Sequence, residues 1–495
     1  MKFPLPRTLV PSIDASTQPA GEYELMANSL VQERMKEYQE YVGTKAKVPT
    51  ARWKQVKRRE NLTIYKDTKP SSSRRDGIAL WMAGSFAGSL NDAMYGIVAA
   101  DSGAMRVQSS YMGDDVVDGA VLLPIQKPTV SDPFRFVGIK WLVKSTASSL
   151  RVFTRARDYF VLESTGVMGE ETSPNRIGFH LVHSIDLSRS GDLEAHGITR
   201  GRVSVCFFFQ ELRNGTVDVY MKARVGIGSS AAEAAIVSSA ADTFLVCWKT
   251  ILCGKSKKLA QMVRASQQND NAYAESQHFL GVDKSTLMTC GRCSKGFGTF
   301  GTGSNCRVCR LKVCSKCRLT LRLSKASTDG TVKQTPASFC KHCVGASAAE
   351  CGLKTARQEL KDNEEATRSS SRSGSSLSRS RKSIGSLCAP SLSRATTSTT
   401  TSSIADSESS SVSIELGSEN GDMHHLQVYQ ANYELSRSQQ DVHGQRNPST
   451  PADLYEQMAR LRVAAAVTAQ VTKQNAHAMQ SRHGHPNTTG VAYHL

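Results

Sequence analysis

Eight of the thirteen cysteines of this chain fall within 54 residues, as four C-x-x-C pairs: Cys290 and Cys293, Cys306 and Cys309, Cys314 and Cys317, Cys340 and Cys343. The full array reads C-x2-C-x12-C-x2-C-x4-C-x2-C-x22-C-x2-C. Two thiolates separated by two residues grip one tetrahedral ion from a tight turn, so each pair is half of a four-cysteine site and the array makes two. Two Zn2+ ions are therefore expected, in sites with no open ligand position, which makes them structural. Metal binding then supplies folding energy to a segment too short to build a core. A disulfide framework is the competing chemistry. It needs an oxidising compartment, and the N-terminal MKFPLPRTLVPSIDASTQ carries no apolar run of signal-peptide kind.

The rest of the composition frames that array. A chain of 495 residues with a formal net charge of +18 has room for two or three domains and a tail. A basic balance favours anionic partners: lipid headgroups, nucleic acid or acidic proteins. From Cys290 to Cys343 eleven Lys and Arg face one acid, Asp329. No run of about 18 apolar residues is expected to span a bilayer, the best candidate, IALWMAGSFAGSL at 78–90, being too short, so a soluble, cytoplasmic chain is expected. All four tryptophans, Trp53, Trp81, Trp141 and Trp248, precede residue 250, which places the main core there. Residues 367–449 are dominated by Ser, Thr and Arg and cannot bury enough apolar surface to offset chain entropy; they are expected to be disordered. Thr450 and Pro451 open a helical patch at 450–480, followed by a short disordered tail, 481–495. Ser370, Ser375 and Ser383 lie in basic surroundings suited to phosphorylation, which would offset the positive charge of the cysteine segment.

Before the cysteines, a short N-terminal segment (1–21) leads into an amphipathic helix expected at 22–43. Strand-like runs follow in WKQVKRRENLTIYKD, DGAVLLPIQ, RFVGIKWLVKS, RVFTRARDYFVLESTGV, RIGFHLVHSIDL, RGRVSVCFFFQEL and GTVDVYMKARVG. In the last, Val217, Val219 and Met221 alternate with Asp218, Tyr220 and Lys222, the period of a strand with one wet face. A short helical insertion is expected near Asn91 to Tyr111. The period then changes: Ile236, Ala240, Phe244, Trp248 and Ile251 share one helical face. Gly254 is expected to end that helix, with Lys255, Lys257 and Lys258 at its negative end. Cys206, Cys247, Cys253, Cys351 and Cys388 lie outside the array, and the first three suit core thiols.

The order helix, antiparallel strands, long helix resembles the START-like lipid-binding fold. The phrase TRARDYFVLES at 154–164 looks like that family's central R-x-R-D-aromatic strand, and RGRVSVCFFFQEL with NGTVDVYMKA matches its paired late strands. The resemblance covers roughly residues 25–260, within a domain bounded at 22–260. It implies a helix grip, an antiparallel sheet wrapped on a long C-terminal helix, around a tunnel for one apolar lipid ligand with the last helix as lid. The plainer alternative is a packed α+β domain without a ligand. Catalysis is not expected. His180 and His183 fall on opposite faces of a strand, away from Asp158 and Asp186, and no G-x-S-x-G, Walker or H-E-x-x-H motif occurs.

The cysteine segment, 278–350, resembles a FYVE-type zinc finger, with an all-cysteine C-R-x-C-x4-C-x2-C core and Phe297 four residues after Cys293. That resemblance implies a cross-brace: Cys290, Cys293, Cys314 and Cys317 on one ion, and Cys306, Cys309, Cys340 and Cys343 on the other. The three signatures of phosphatidylinositol 3-phosphate recognition are not intact. Leu280 and Asp283 lack the tryptophan, the basic motif reads Thr302-Gly303-Ser304-Asn305-Cys306-Arg307, and the last reads Ser338-Phe339-Cys340. Specific recognition of a 3-phosphate needs fixed cationic donors, most of which are missing. Coarser docking on an anionic membrane is expected instead, with Phe300 as a wedge beside Lys295, Arg307, Arg310 and Lys312. That implies a cytoplasmic protein placed peripherally on endosomal or other internal membranes. FYVE-related fingers that bind a small GTPase give the alternative partner, with the helical flank 353–366 as a platform. Nucleic acid is disfavoured for want of interleaved aromatics and a recognition helix.

Overall fold

The computed structural model describes residues 3–13, 19–44, 46–69, 77–145, 156–187, 193–226, 233–274, 289–297, 303–327 and 330–375. Phe300, Ser383, Cys388, the linker beyond residue 375, the helix expected at 450–480 and the tail 481–495 lie outside the described residues.

Helix α1 (Ala20–Gly43) leads into strands β1 (Trp53–Arg59), β2 (Leu62–Asp67) and β3 (Ile78–Ala87). Two helices follow, α2 (Leu90–Ile97) and α3 (Ser102–Met112), then β4 (Val116–Gln126), β5 (Phe136–Lys144), β6 (Ala156–Met168), β7 (Ile177–Ser184), β8 (Ile198–Arg200), β9 (Val203–Glu211) and β10 (Thr216–Val225). Helices α4 (Glu233–Leu245) and α5 (Lys249–Ala274), joined by one 3-10 turn, complete this part. The sheet order is β1-β2-β3-β10-β9-β7-β6-β5-β4, antiparallel throughout, with β8 added parallel to β6. The α+β helix grip expected from the sequence is thus present.

Alternation along the strands makes two cores. Leu80, Met82, Val205, Phe207, Phe209, Val219 and Met221 face inward, onto α2, α4 and α5. Trp81, Cys206, Phe208 and Tyr220 face outward, under Ala27, Val31, Tyr38 and Tyr41 of α1. β3 was the stretch singled out as a membrane candidate. It is apolar on both faces because it is central and covered on both sides, which erases the period-two signal of a half-wet strand. Glu233–Gln267, which the sequence reading passed over as a span, is long and apolar enough to cross a membrane by length and composition, but more than half of its most apolar 18-residue window is buried here, with Ile236, Phe244 and Ile251 in the inner core.

Local chemistry sets the short helices. Ser89 Oγ accepts from Asp92 N (3.2 Å) to cap α2, Asp101 Oδ1 accepts from Ala104 N (2.8 Å) to cap α3, and Gly113 at φ 58° ends α3. Gly254 does not end the last helix. It lies inside α5, where a Cβ would stand 2.1 Å from Asp92 O, while a Cβ on Gly96 would stand 1.9 Å from Thr250 O. The two glycines let α2 and α5 cross with backbones in contact. Lys257 and Lys258 accordingly serve other helices: Lys257 Nζ donates to Tyr95 O (2.7 Å) and Val98 O (3.2 Å) at the end of α2.

The cysteine segment contributes β11 (Ser304–Asn305), β12 (Lys312–Val313), the hairpin β13 (Arg318–Ala326) and β14 (Val332–Cys340), and α6 (Lys341–Ala349). Helix α7 (Gly352–Ser375) follows and runs beyond the flank expected at 353–366 into the Ser-rich stretch. A side-chain bond from Thr367 Oγ1 to Asn363 O (2.9 Å) and an Arg368–Glu364 pair at i,i+4 accompany that extension.

The glycine crossing yields a direct test. Gly254→Ala should lose about 1–3 kcal/mol or more in urea unfolding, because the obstructing atom is backbone oxygen and cannot rotate away. Gly345→Ala in α6, where a Cβ would meet nothing within 4 Å, should be neutral or stabilising by up to about 1 kcal/mol. Equal stability of both variants would show that the crossing is looser than described.

Candidate functional site

Three polar groups interrupt the inner face of the sheet. Lys140 of β5 is 1% exposed, and its Nζ lies 2.8 Å from Glu163 Oε1 of β6 and 4.7 Å from the Phe136 ring centroid. His180 of β7 brings Nε2 to 3.5 Å from the same oxygen without making a hydrogen bond. The His180 ring stacks on Phe207 (6.1 Å), which stacks on Phe209 (5.9 Å) and meets Phe244 of α4 edge-on (6.1 Å). Burial alone would raise the Glu163 carboxyl. The Lys140 ammonium and the His180 contact overcome it and hold the group at about 2. His183 lies on the other face, its Nδ1 2.9 Å from Ser204 Oγ, so the two histidines do not pair, as strand alternation required.

A cleft of about 640 Å3 opens between the sheet edge and α4, lined by Val56, Lys57, Lys66, Glu233, Ala234, Val237 and Ser238. Lys57–Asp242 (2.5 Å) and Lys66–Glu233 tie β1 and β2 to α4 across it. Between sheet and helices the space is occupied by Phe207, Phe209, Phe244 and their neighbours, where the sequence led us to expect a tunnel.

The eight array cysteines gather as Cys290, Cys293, Cys314 and Cys317, and as Cys306, Cys309, Cys340 and Cys343, with the four sulfurs of each group within 4.8 Å of one another. The edge of a tetrahedron with Zn–S bonds of about 2.3 Å is about 3.8 Å. The Cys293–Cys314 and Cys309–Cys340 Sγ separations are both 3.8 Å. This is too long for a disulfide, and an all-thiolate set suits zinc. The groups could thus hold two metal ions, and the short strands and turns exist to present them. Backbone N–H groups point at the sulfurs: Cys314 N to Cys290 Sγ, and Cys340 N to Cys306 Sγ, both 3.3 Å. Burial works to raise the Cys290 and Cys306 thiols, but these amides more than offset it and bring them to about 6 and about 7. Arg292, from the first knuckle, donates to Cys309 Sγ of the second group (3.5 Å), which ties the two together.

Of the expected membrane contacts, Lys295, Arg307 and Arg310 are exposed. Lys312 is half-buried, with Nζ 5.1 Å from the Phe297 ring centroid. Leu311, between two of these cations, is 40% exposed and escaped sequence reasoning, because nothing in CRLKVC distinguishes a core leucine from a surface one. Lys140 and Glu163 escaped it too. A charged residue at an inward position of an apolar strand was the available signal, but the partner depends on the β5–β6 register, Gly138 opposite Glu163.

The finger is seated on the sheet domain. Tyr111 Oη accepts from Ser324 N (2.7 Å), and Gln334 Nε2 donates to Ser110 O (3.1 Å), so the β13–β14 hairpin lies against α3. Lys258, 1% exposed, donates from Nζ to Ala348 O (3.1 Å) and Glu350 O (2.8 Å) at the end of α6. The same nitrogen is 2.7 Å from Asp92 Oδ1, an ion pair not aligned as a hydrogen bond. Leu353 and Ala356 of α7 enter the inner core, and Arg357 makes a two-bond pair with Glu171 (2.9 and 2.7 Å).

No family model matches the sequence, and no curated protein matches it. Among solved structures, the chain is similar to human StAR-related lipid transfer protein 5 (12% identity, TM-score 0.35, covering 47% of this chain and 97% of that one). It is also similar to the lipid transfer and protein localization domain of human StarD13 (12%, 0.30, 45% and 94%). A third is a STAR-related lipid transfer protein fragment from Xanthomonas axonopodis (14%, 0.29, 40% and 96%).

Glu163→Gln, which leaves the Lys140 ammonium buried without a counter-charge, is expected to cost about 3–5 kcal/mol, and Lys140→Met added to it should restore most of the loss. The Glu163 pKa is depressed from 4.5, so its contribution is complete above about 4.5 and is lost as pH falls toward about 2. The gap between wild type and Glu163→Gln in urea titrations should narrow over that window. A gap independent of pH would show that the pair is not formed. For the finger, metal analysis should find two ions per chain, and chelation should speed amide exchange in residues 303–349 and also in α3, whose Ser110 and Tyr111 would lose their partners.

Proposed function

We propose that the chain is a non-enzymatic, START-like lipid-binding protein. One apolar ligand would lie along the inner face of the sheet with its polar end at Lys140, Glu163 and His180. The observation that carries this reading is the buried ion pair itself. An apolar face gains nothing in stability from charges that hydrophobic residues could replace, whereas a lipid with one polar group needs a fixed partner for it in an otherwise apolar site. The aromatic rings would have to part to admit a ligand. The cleft between β1–β2 and α4 supplies the place for that movement, and the Lys57–Asp242 and Lys66–Glu233 pairs are exposed straps, each worth little.

The finger, a degenerate FYVE-type module in this reading, would hold the protein peripherally on anionic internal membranes such as endosomes. Lys295, Arg307 and Arg310 would provide salt-sensitive attraction, with Leu311 as the described apolar contact and Phe300 as a second one. The GTPase-platform alternative would have to use the knuckles or the outer side of α7, since Leu353 and Ala356 are taken up by the core.

Two measurements test the reading. Full-length, metal-loaded protein incubated with mixed-lipid vesicles and re-isolated should carry a stoichiometric lipid by mass spectrometry. The double variant Lys140→Met, Glu163→Leu should lose lipids with a polar terminus while staying folded. Failure of the folded wild type to extract any lipid would sink the binding proposal. In co-sedimentation, binding to any anionic vesicle should fade with salt and with Leu311→Ala. Absence of binding would favour the protein-platform alternative.

A further inference from the structure

The outer face of the sheet carries a second polar site, under the last turns of α1. Lys222 of β10 projects between two tryptophans, its Nζ 3.9 Å from the Trp53 ring centroid and 3.8 Å from that of Trp81. The indoles meet edge-on at 5.2 Å. No carboxylate among the described residues lies within ion-pair distance of this ammonium. The two acids nearby are already engaged. Asp67 is held by Arg52 through Nε and Nη2 (3.1 and 2.7 Å), and Glu37 by Arg34 Nη1 (2.7 Å). A pocket of about 190 Å3 opens in front of Lys222, and its lining includes Arg34, Arg52, Arg224 and Ser204. Four cations and two carboxylates line this small hollow.

That arrangement is a poor way to build a structural staple. Desolvation between the rings pulls the Lys222 amine down to about 8, while attraction to Glu37 and Asp67 works against repulsion from Arg52 and Arg34. Arg52 takes both oxygens of Asp67, and Arg34 takes one of Glu37, so neither carboxylate hydrogen-bonds to Lys222. Arginine has five donors, and the two pairs use only some of them, so Arg34 and Arg52 still have N–H groups to offer. Forked guanidinium donors around an ammonium match a tetrahedral, doubly charged oxyanion. The volume is below the range of about 300–1,000 Å3 typical of pockets for whole organic ligands, so it suits a phosphoryl group with little attached.

The geometry points to a phosphate-binding site on the outer face of the sheet, with Lys222 as its central ligand and Arg34, Arg52 and Arg224 around it. It is separate from the inner face and from the finger. The phosphate can belong to a free phosphorylated metabolite or to a lipid headgroup, and one experiment separates the two.

Full-length, metal-loaded protein is titrated with inorganic phosphate at constant ionic strength, maintained with chloride, and the thermal midpoint is followed. A saturable rise is expected for wild type, and Lys222→Met, which keeps the apolar stem between the indoles, should weaken it by about tenfold or more. Arg224→Gln, at an exposed position, is the second variant and should also weaken phosphate binding, read as the phosphate-dependent rise above its own unliganded midpoint. In the second arm, phosphatidylcholine vesicles containing a phosphatidylinositol phosphate are sedimented with each variant. Loss of vesicle binding in both variants assigns the site to a lipid headgroup. Phosphate binding with vesicle binding unaffected assigns it to a soluble ligand. Either result supports the site, because the finger is intact in both variants. A phosphate response absent from wild type, or identical in wild type, Lys222→Met and Arg224→Gln, overturns it.

Discussion

A single buried ammonium, that of Lys258, organises the union of the two parts of this protein. A charge with almost no exposure must be paired and hydrogen-bonded, or it would lose its proton or unfold its surroundings. Lys258 meets that demand from two sides: Asp92 at the start of α2, and the carbonyls of Ala348 and Glu350 at the end of α6. Those carbonyls are among the acceptors a helix terminus leaves without partners, so each side satisfies the other. The pairing in turn demands the glycine crossing. Asp92 O lies where a Cβ of Gly254 would be, and only a side-chain-free contact brings α2 and α5 close enough for Lys258 to reach. Gly352, at the start of α7, is under the same constraint, since a Cβ there would stand 2.8 Å from Asp92 Oδ1.

With that junction in place, the finger is more than a module on a tether. Its hairpin lies on α3, its last helix caps onto Lys258, and α7 closes part of the inner core with Leu353 and Ala356. The cysteine-rich fold and the sheet therefore support one another. Neither surface can change its orientation without giving up buried partners. Tyr95 shows how tightly the seam is knit: Oη donates to Glu359 of α7 (2.7 Å), while its carbonyl accepts from Lys257 and its ring lies 4.2 Å from the same Nζ.

The parts legible in the sequence are those whose chemistry is local. Ligand spacing declared four half-sites, because C-x-x-C is a property of one turn, while which pairs share a site came only from the resemblance to FYVE-type fingers. The Ile236–Ile251 face declared the last helix, because 3.6-residue periodicity needs no knowledge of the partner. What the sequence concealed depends on contacts between distant segments. Gly254 carries the local signature of a helix end, and Lys257 and Lys258 that of a helix end's counter-charge, yet all three answer to α2 and α6. β3 hid behind uniform apolarity. Lys140 and Glu163 are 23 residues apart and meet only through strand register.

The two faces of the sheet surround a lysine in opposite ways. Lys140 is enclosed with a carboxylate at 2.8 Å and a histidine beside it, a set that is electrically complete and can exchange partners only with a group as polar as itself. Lys222 is given tryptophan faces, which stabilise a cation by about 0.5–2 kcal/mol but supply no hydrogen-bond acceptor. Its three donors are therefore left for whatever enters from the pocket. A neutral molecule with one hydroxyl suits the first setting and an anion suits the second. On the proposed reading, one twisted sheet would separate an apolar ligand from a charged one by the alternation of its side chains.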